Sequence, residues 1–221
     1  LDAVRINIYL GGRLLARRSQ RKAESRKVKQ WYKVVSPEMF GRAPVGETMA
    51  NDPEKVVGRV IETTLGDLTN NFSKQNTKLR FRVDRVAGDA AYTRFIGHEM
   101  TTDYIRSLVK RRTSRIDSIV DITTSDGYEV RVKSSCFTVK RARANQVKSI
   151  REISQRVVVD KATGLDLNQL IQEVVLGKLS LDIYKEAKMV YPLRRVEVRK
   201  TEIMAEPVGA PVPTATAGAS S

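Results

Sequence analysis

Three runs of unbalanced positive charge define the chemistry open to this chain. The first 33 residues hold ten lysines and arginines against Asp2 and Glu24. Their densest part contains Arg17, Arg18, Arg21, Lys22, Arg26, Lys27 and Lys29, with only Ala23 and Val28 as apolar residues. A second cluster is Lys110-Arg111-Arg112 with Arg115. The third spans residues 130–150, where Arg131, Lys133, Lys140, Arg141, Arg143 and Lys148 occur without a single acid. Such side chains neutralise phosphate oxygens and release condensed counterions. Cations complementing a helix C-terminus account for one or two residues of the second cluster, not four. A merely solvated face mixes both signs. Unmixed runs at three separated places therefore point to a large, folded polyanion.

Catalysis has little to build on. His98 is the only histidine, which excludes a His-based zinc cluster and an HExxH site. No triad is recognisable around it, so a structural or surface role is expected. Cys136 lies among alternating residues without a CxxC partner and reads as a small buried filler. None of the 13 glycines forms GxGxxG, a phosphate-binding loop or GxSxG. Asp117, Asp121 and Asp126 invite a metal-site reading, but hairpin turns and strand solubility explain them more simply. The expectation is a protein that is not an enzyme, with no cofactor and no metal.

Composition narrows the partner. The 221 residues carry a formal net charge of +15, are 41% hydrophobic and give a pI near 10.1. A folded core with an anionic partner follows, and nucleic acid and an anionic membrane surface both qualify. No apolar run approaches the roughly 18 to 20 residues of a spanning helix. The arm also lacks the broad apolar face of an interfacial helix, so no membrane partner is expected. One cysteine permits no internal disulfide, which fits a reducing, cytoplasmic setting.

The elements that must position these residues divide into three zones: a basic arm over 1–30, a single folded body over 31–203 and a Pro/Ala-rich flexible tail over 204–221. Leu1 is not an ordinary initiator. The native chain is expected to begin near Ala16, with Leu15 marking an alternative start codon and residues 1–15 not native; intact mass checks this. Residues 56–65 and 78–86 read as strands. Thr101 or Thr102 caps a helix carrying Ile105, Leu108 and Val109. Residues 116–124 and 128–139 alternate around Ser125-Asp126-Gly127, a strong hairpin signal. Ile150, Ile153 and Val157 repeat at helical spacing. Leu167, Leu170, Ile171, Val174 and Val175 form a second helix stopped by Gly177, and Ile183 and Ala187 mark a third. A final strand covers 195–203. The fold class is α+β, with strands mostly first and helices late. Trp31, where the arm meets the body, reads as a core anchor rather than a base-stacking surface, because Val34, Val35 and Phe40 continue the apolar pattern.

Several motifs in fixed order carry a resemblance. Trp31-Tyr32-Lys33-Val34 with Pro37 and Met39-Phe40 is similar to the W-Y-x-V-x-x-P-x-M-F opening of the S3Ae small-subunit ribosomal protein family. Gly46-Glu47-Thr48, Gly58-Arg59-Val60-Ile61-Glu62 and Phe95-Ile96-Gly97-His98-Glu99-Met100-Thr101 continue it. Thr123-Thr124-Ser125-Asp126-Gly127-Tyr128, Cys136-Phe137-Thr138 with Lys140-Arg141, and Tyr191-Pro192-Leu193 complete it. The likeness spans about residues 16–203, and its short arm resembles archaeal members. It implies a structural constituent of the small ribosomal subunit that binds rRNA on the platform near the mRNA exit. It also implies an antiparallel β-barrel-like body with packed helices mainly in the C-terminal half, no cofactor, and partners among rRNA, neighbouring platform proteins and mRNA. The alternative is a free-standing RNA-binding or RNA-modifying protein.

Overall fold

Gly127, at φ 80°, turns the chain between the two alternating runs and makes the hairpin on which the second half of the fold is built. The computed structural model describes residues 29–207. The arm cations Arg17, Arg18, Arg21, Lys22, Arg26 and Lys27, the question of residues 1–15, and residues 208–221 of the tail lie outside the described residues. The described elements are, in order, β1 (Gln30–Val35), β2 (Pro44–Ala50), β3 (Val60–Thr64), α1 (Leu65–Thr69), β4 (Thr77–Ala87), β5 (Ala90–Met100), α2 (Thr102–Leu108), β6 (Arg115–Thr123), β7 (Glu129–Thr138), α3 (Ala144–Thr163), α4 (Leu167–Leu176), α5 (Lys178–Ala187) and β8 (Leu193–Ala205).

All eight strands join one sheet, ordered β2-β1-β5-β8-β7-β6, with β4 against β5 and β3 against β4. Every pairing is antiparallel except β1 with β5. One edge of β5 runs along β4. Its other edge is shared, with Ala90, Ala91 and Tyr92 paired to β1 and Gly97, His98 and Glu99 paired to β8. Gly97 permits this sharing: a Cβ there would stand 2.4 Å from the Thr201 carbonyl oxygen. The fold is thus mixed α and β with its helices mainly in the C-terminal half. The barrel closure that the resemblance implies is not made. The ladder ends on β2, β3 and β6, which do not pair with one another, because the sheet branches at β5 instead of curling shut.

Helices α3, α4 and α5 cover the β6–β7–β8 part. Ile150, Val157, Val158 and Ala162 of α3, Leu170, Ile171 and Val174 of α4, and Leu179, Ile183 and Ala187 of α5 are buried in one cluster with Val130, Val132, Cys136 and Val198. Burying each of the larger side chains contributes roughly 1.5–3 kcal/mol. Where α3 crosses the sheet, the hydroxyls of Ser118, Ser134 and Ser154 satisfy one another at 2.7–3.0 Å, so polar groups sit in the core without a desolvation penalty left open. The hairpin tip clamps the next helix: Leu167 N–H donates to the Asp126 carboxylate at 3.0 Å, and the Ser125 hydroxyl donates to Asp166 at 2.7 Å. Gly177, at φ 86°, ends α4 and starts α5 without a linker.

Two expectations are corrected. The strand predicted over 56–65 shortens to β3, because Gly58 at φ 84° turns the chain first. Trp31 is not a core residue: its side chain is 60% exposed, while Tyr32, on the opposite face of β1, is buried with Val34. Apolar sequence neighbours signalled burial of the strand's other face only.

Candidate nucleic-acid interface

The solvent face of the sheet carries many charges, and a connected set of them is paired across neighbouring strands. A chain of ion pairs crosses from β3 through β4, β5 and β8 to β7: Glu62 to Arg80 at 2.7 Å, Arg80 to Glu99 at 3.4 Å, Glu99 to Lys200 at 3.3 Å, Lys200 to Glu202 at 2.6 Å and Glu202 to Lys133 at 2.9 Å. Arg131 forks onto Asp121 at 2.6 and 2.8 Å between β7 and β6. The bonds to Lys200 and Lys133 hold the Glu202 carboxyl below the usual carboxylate range. The acid-free run of residues 130–150 is therefore divided by the fold. Arg131 and Lys133, in its strand part, are neutralised by acids brought from other strands.

Its loop part is not. Lys140, Arg141 and Arg143 lie in the β7–α3 connection, and all three are exposed. Lys110, Arg111 and Arg112 lie in the α2–β6 connection and are exposed as well. None of these six joins an ion pair with a described residue. The structure brings the two connections together. The Thr138 hydroxyl accepts from Ser114 N–H at 2.8 Å and lies 2.6 Å from the Lys140 carbonyl, to which it donates. The Ser114 hydroxyl accepts from Ala142 N–H at 3.1 Å. A third connection, α5 to β8, closes the group: Val139 N–H donates to Pro192 O at 3.2 Å and Tyr191 Oη donates to Arg141 O at 3.3 Å. That segment adds Lys188 and Arg194, both exposed, and holds Arg194 Nη1 against Leu108 O at 3.4 Å.

One end of the molecule thus gathers eight cations, seven from three connections and Arg194 from the start of β8, and residues 109–116, 139–150 and 188–196 contain no acid at all. The N-terminus of the twenty-residue α3 opens there too, with no acid in its first turn, and adds partial positive charge. Arg112 stands at φ 60°, a left-handed conformation that costs a branched-chain-free L-residue roughly 1 kcal/mol. Exposed Val109, Val139 and Met189, the last 88% exposed, lie among these cations.

Other predicted residues sit differently. Arg115 belongs to the same end but pairs with Asp117 at 2.9 Å. Lys148 is one turn and more into α3 and approaches Glu152 at 3.9 Å. Lys29 precedes β1, away from the loop end. Sequence reasoning missed Lys188 and Arg194; the acid-free stretch 188–196 was the available signal, diluted by Tyr191-Pro192 and by the neighbouring Glu186 and Glu197.

Residues weighed for catalysis are occupied elsewhere. His98 is 2% exposed; its Nε2–H donates to Val198 O at 3.1 Å and its Nδ1 accepts from the Thr201 hydroxyl at 2.6 Å. Burial lowers it to about 4, so it is neutral at pH 7. Cys136 is buried and its thiol is pushed up to about 12 by desolvation. Asp117 bonds Arg115 and Ser135, Asp121 bonds Arg131, and Asp126 caps α4. Among the described residues no three His, Cys, Asp or Glu side chains converge as a metal site. A cleft of about 620 Å³ between α2, the α4–α5 corner and β8 holds Tyr104, Arg195 and Glu197. There Glu197 accepts from Tyr104 at 3.0 Å and from Arg195 at 2.6 Å. Among the described residues no helix is long and apolar enough to cross a membrane.

Known proteins resemble this chain along nearly all of its described length. The model of the Ribosomal S3Ae family matches residues 17–207. The small ribosomal subunit protein eS1 of Methanothrix thermoacetophila is 77% identical, covering 92% of this chain and 100% of the relative. That of Archaeoglobus fulgidus is 52% identical over 92% of this chain and 97% of its own length, and that of Haloarcula marismortui is 49% identical over 81% and 84%. A basic, pairing-depleted loop end on a charge-balanced body, in a sequence matched along nearly all of its folded part, has one consistent reading: the chain belongs to the Ribosomal S3Ae family.

Proposed function

We propose that this chain is a structural, non-catalytic constituent of the archaeal-type small ribosomal subunit in the cytoplasm, held there by rRNA. The observation that carries the reading is the loop end, where Lys110, Arg111, Arg112, Lys140, Arg141 and Arg143 are presented together without acids, beside Lys188 and Arg194. Six cations that pair with no acid among the described residues, on loops bracketed by hydrogen bonds, suit phosphates of a folded RNA, whose oxygens supply counter-charge. The balanced sheet face suits solvent or protein neighbours. Arg17, Arg18, Arg21, Lys22, Arg26, Lys27 and Lys29 add further RNA contacts; their charge of one sign supports that role. The site on the subunit is the platform near the mRNA exit, with platform proteins as neighbours and mRNA within reach, as the family resemblance suggests.

Sedimentation with ultraviolet cross-linking tests the reading. The protein is expected in the small-subunit fraction, with ribonucleotide adducts on residues 110–112 and 140–143. A protein that sediments free, or adducts confined to other surfaces, would overturn it.

A further inference from the structure

The strand face that carries Trp31 has no counterpart in the loop end and calls for its own partner. Trp31 is 60% exposed, and Met49, directly opposite it in the β1–β2 register, is 42% exposed. Strand alternation puts Lys33 on the same face of β1 as the indole, and exposed Lys29 stands two residues before it, just ahead of the strand. Toward β5 the neighbouring segment is the Gly88-Asp89 turn, where Asp89 O accepts from Lys33 N–H at 2.7 Å and a Cβ on Gly88 would meet nothing within 4 Å. Behind Met49, Arg59 holds the Met49 carbonyl and the Thr48 hydroxyl at 3.0 and 2.6 Å. Glu47 stands opposite Lys33 in the β1–β2 register, and Asp89 belongs to the turn. Two residues before Trp31 the chain enters its most cationic segment, which ends at Lys29.

We propose that the Trp31 indole, with Met49 beside it, is a stacking platform for an unpaired nucleobase of RNA, and that Lys29 and Lys33 hold the flanking phosphates. A flat π-surface accepts any base, and cations before and after it in the chain match the phosphate repeat of a single strand laid across it. The ring follows the last cation of that basic segment by only two residues in the chain. An apolar protein partner would gain from Trp31 and Met49 but would have to leave Lys29 and Lys33 without counter-charge. The platform stands at the start of β5 and the loop end lies beyond its finish. Eleven residues of strand, roughly 35 Å, separate them, so it is a second contact rather than an extension of the first.

The proposal rests on the reading that the chain binds RNA, and one titration separates the two. Trp31 is the only tryptophan, so its emission reports this ring alone. The full chain is titrated with short fluorescein-labelled oligoadenylate while RNA anisotropy and tryptophan emission are both recorded. Rising anisotropy with quenched emission is expected. Rising anisotropy with unchanged emission overturns the platform and leaves RNA binding intact. No rise in anisotropy counts against RNA binding itself. As a second measurement, Trp31→Ala should weaken binding about tenfold with an unchanged salt slope, and Trp31→Phe should recover most of it. An unchanged affinity in Trp31→Ala, or a loss that comes with a shallower salt slope, would overturn the stacking role.

Discussion

The Ala142 N–H donates to the Ser114 hydroxyl at 3.1 Å, and this bond joins two basic connections that lie 28 residues apart in the chain. It turns two clusters that look separate in sequence into one charged surface. Ser114→Ala leaves every cation in place and removes this bond of the bracket, while the Thr138 link from Ser114 N–H to the Lys140 carbonyl stays. The expected cost is about 1 kcal/mol of stability. RNA affinity should fall several-fold with the salt slope unchanged, because geometry is lost and charge is not. Equilibrium denaturation and a salt series of binding isotherms check both.

Charge removal should behave in the opposite way. Replacing Lys140, Arg141 and Arg143 together by Ala is expected to leave the melting temperature unchanged, because none of the three is ion-paired with a described residue. The slope of log K against log salt should become shallower by about 2 to 3. Lys133→Ala is the matched control. Its ammonium is already taken by Glu202 at 2.9 Å, so RNA binding should hold while stability drops by no more than about 1 kcal/mol.

Arg112 separates stability from function at a single position. Its φ of 60° is one that glycine adopts freely. Arg112→Gly should raise stability by up to about 1 kcal/mol through relief of the left-handed strain. It should weaken RNA binding at the same time. A simultaneous loss of stability would count against a strained, functional arginine.

Much of the fold was legible because its signals are local. Asp126-Gly127 between alternating runs, the stop at Gly177 and the 3.6-residue repeat through Ile150 and Val157 each depend on residues a few positions apart. What was not legible is non-local. β8 returns from the end of the chain to lie between β5 and β7, and only that insertion delivers Lys200 and Glu202 to Glu99 and Lys133. No window of sequence tells a paired lysine such as Lys133 from an unpaired one such as Lys140. Trp31 misled for a related reason: its apolar neighbours describe the buried face of β1, and the indole points the other way.

The same non-local contact gives Gly97 its role. With the Thr201 carbonyl oxygen 2.4 Å from where a Cβ would sit, Gly97→Ala must push β8 off β5. A loss of about 2–3 kcal/mol is expected, the upper range for overpacking, because a backbone carbonyl cannot rotate away as a side chain would. Amide exchange should quicken at Gly97, His98, Glu99 and their β8 partners before it does in β6 and β7.

His98 makes that contact pH-dependent. Folding buries its imidazole between Val198 O and Thr201, and its pKa drops from about 6.5 to about 4 because burial disfavours the charged ring. The unfolded chain therefore takes up a proton as pH falls through 6.5, while the folded chain does not until near 4. Stability from this group is complete above pH 6.5, declines between 6.5 and 4, and has fallen by about 3 kcal/mol at the lower limit. Carboxylates such as Asp117 and Glu202, held low by Arg115 and Lys200, act in a separate window: they lose their contribution below the usual carboxylate range. His98 is the only histidine, so its imidazole proton resonance needs no assignment. It should titrate near 4 in the native protein and near 6.5 in denaturant. A native titration near 6.5 would mean that the ring is solvated and that the β5–β8 contact does not close around it.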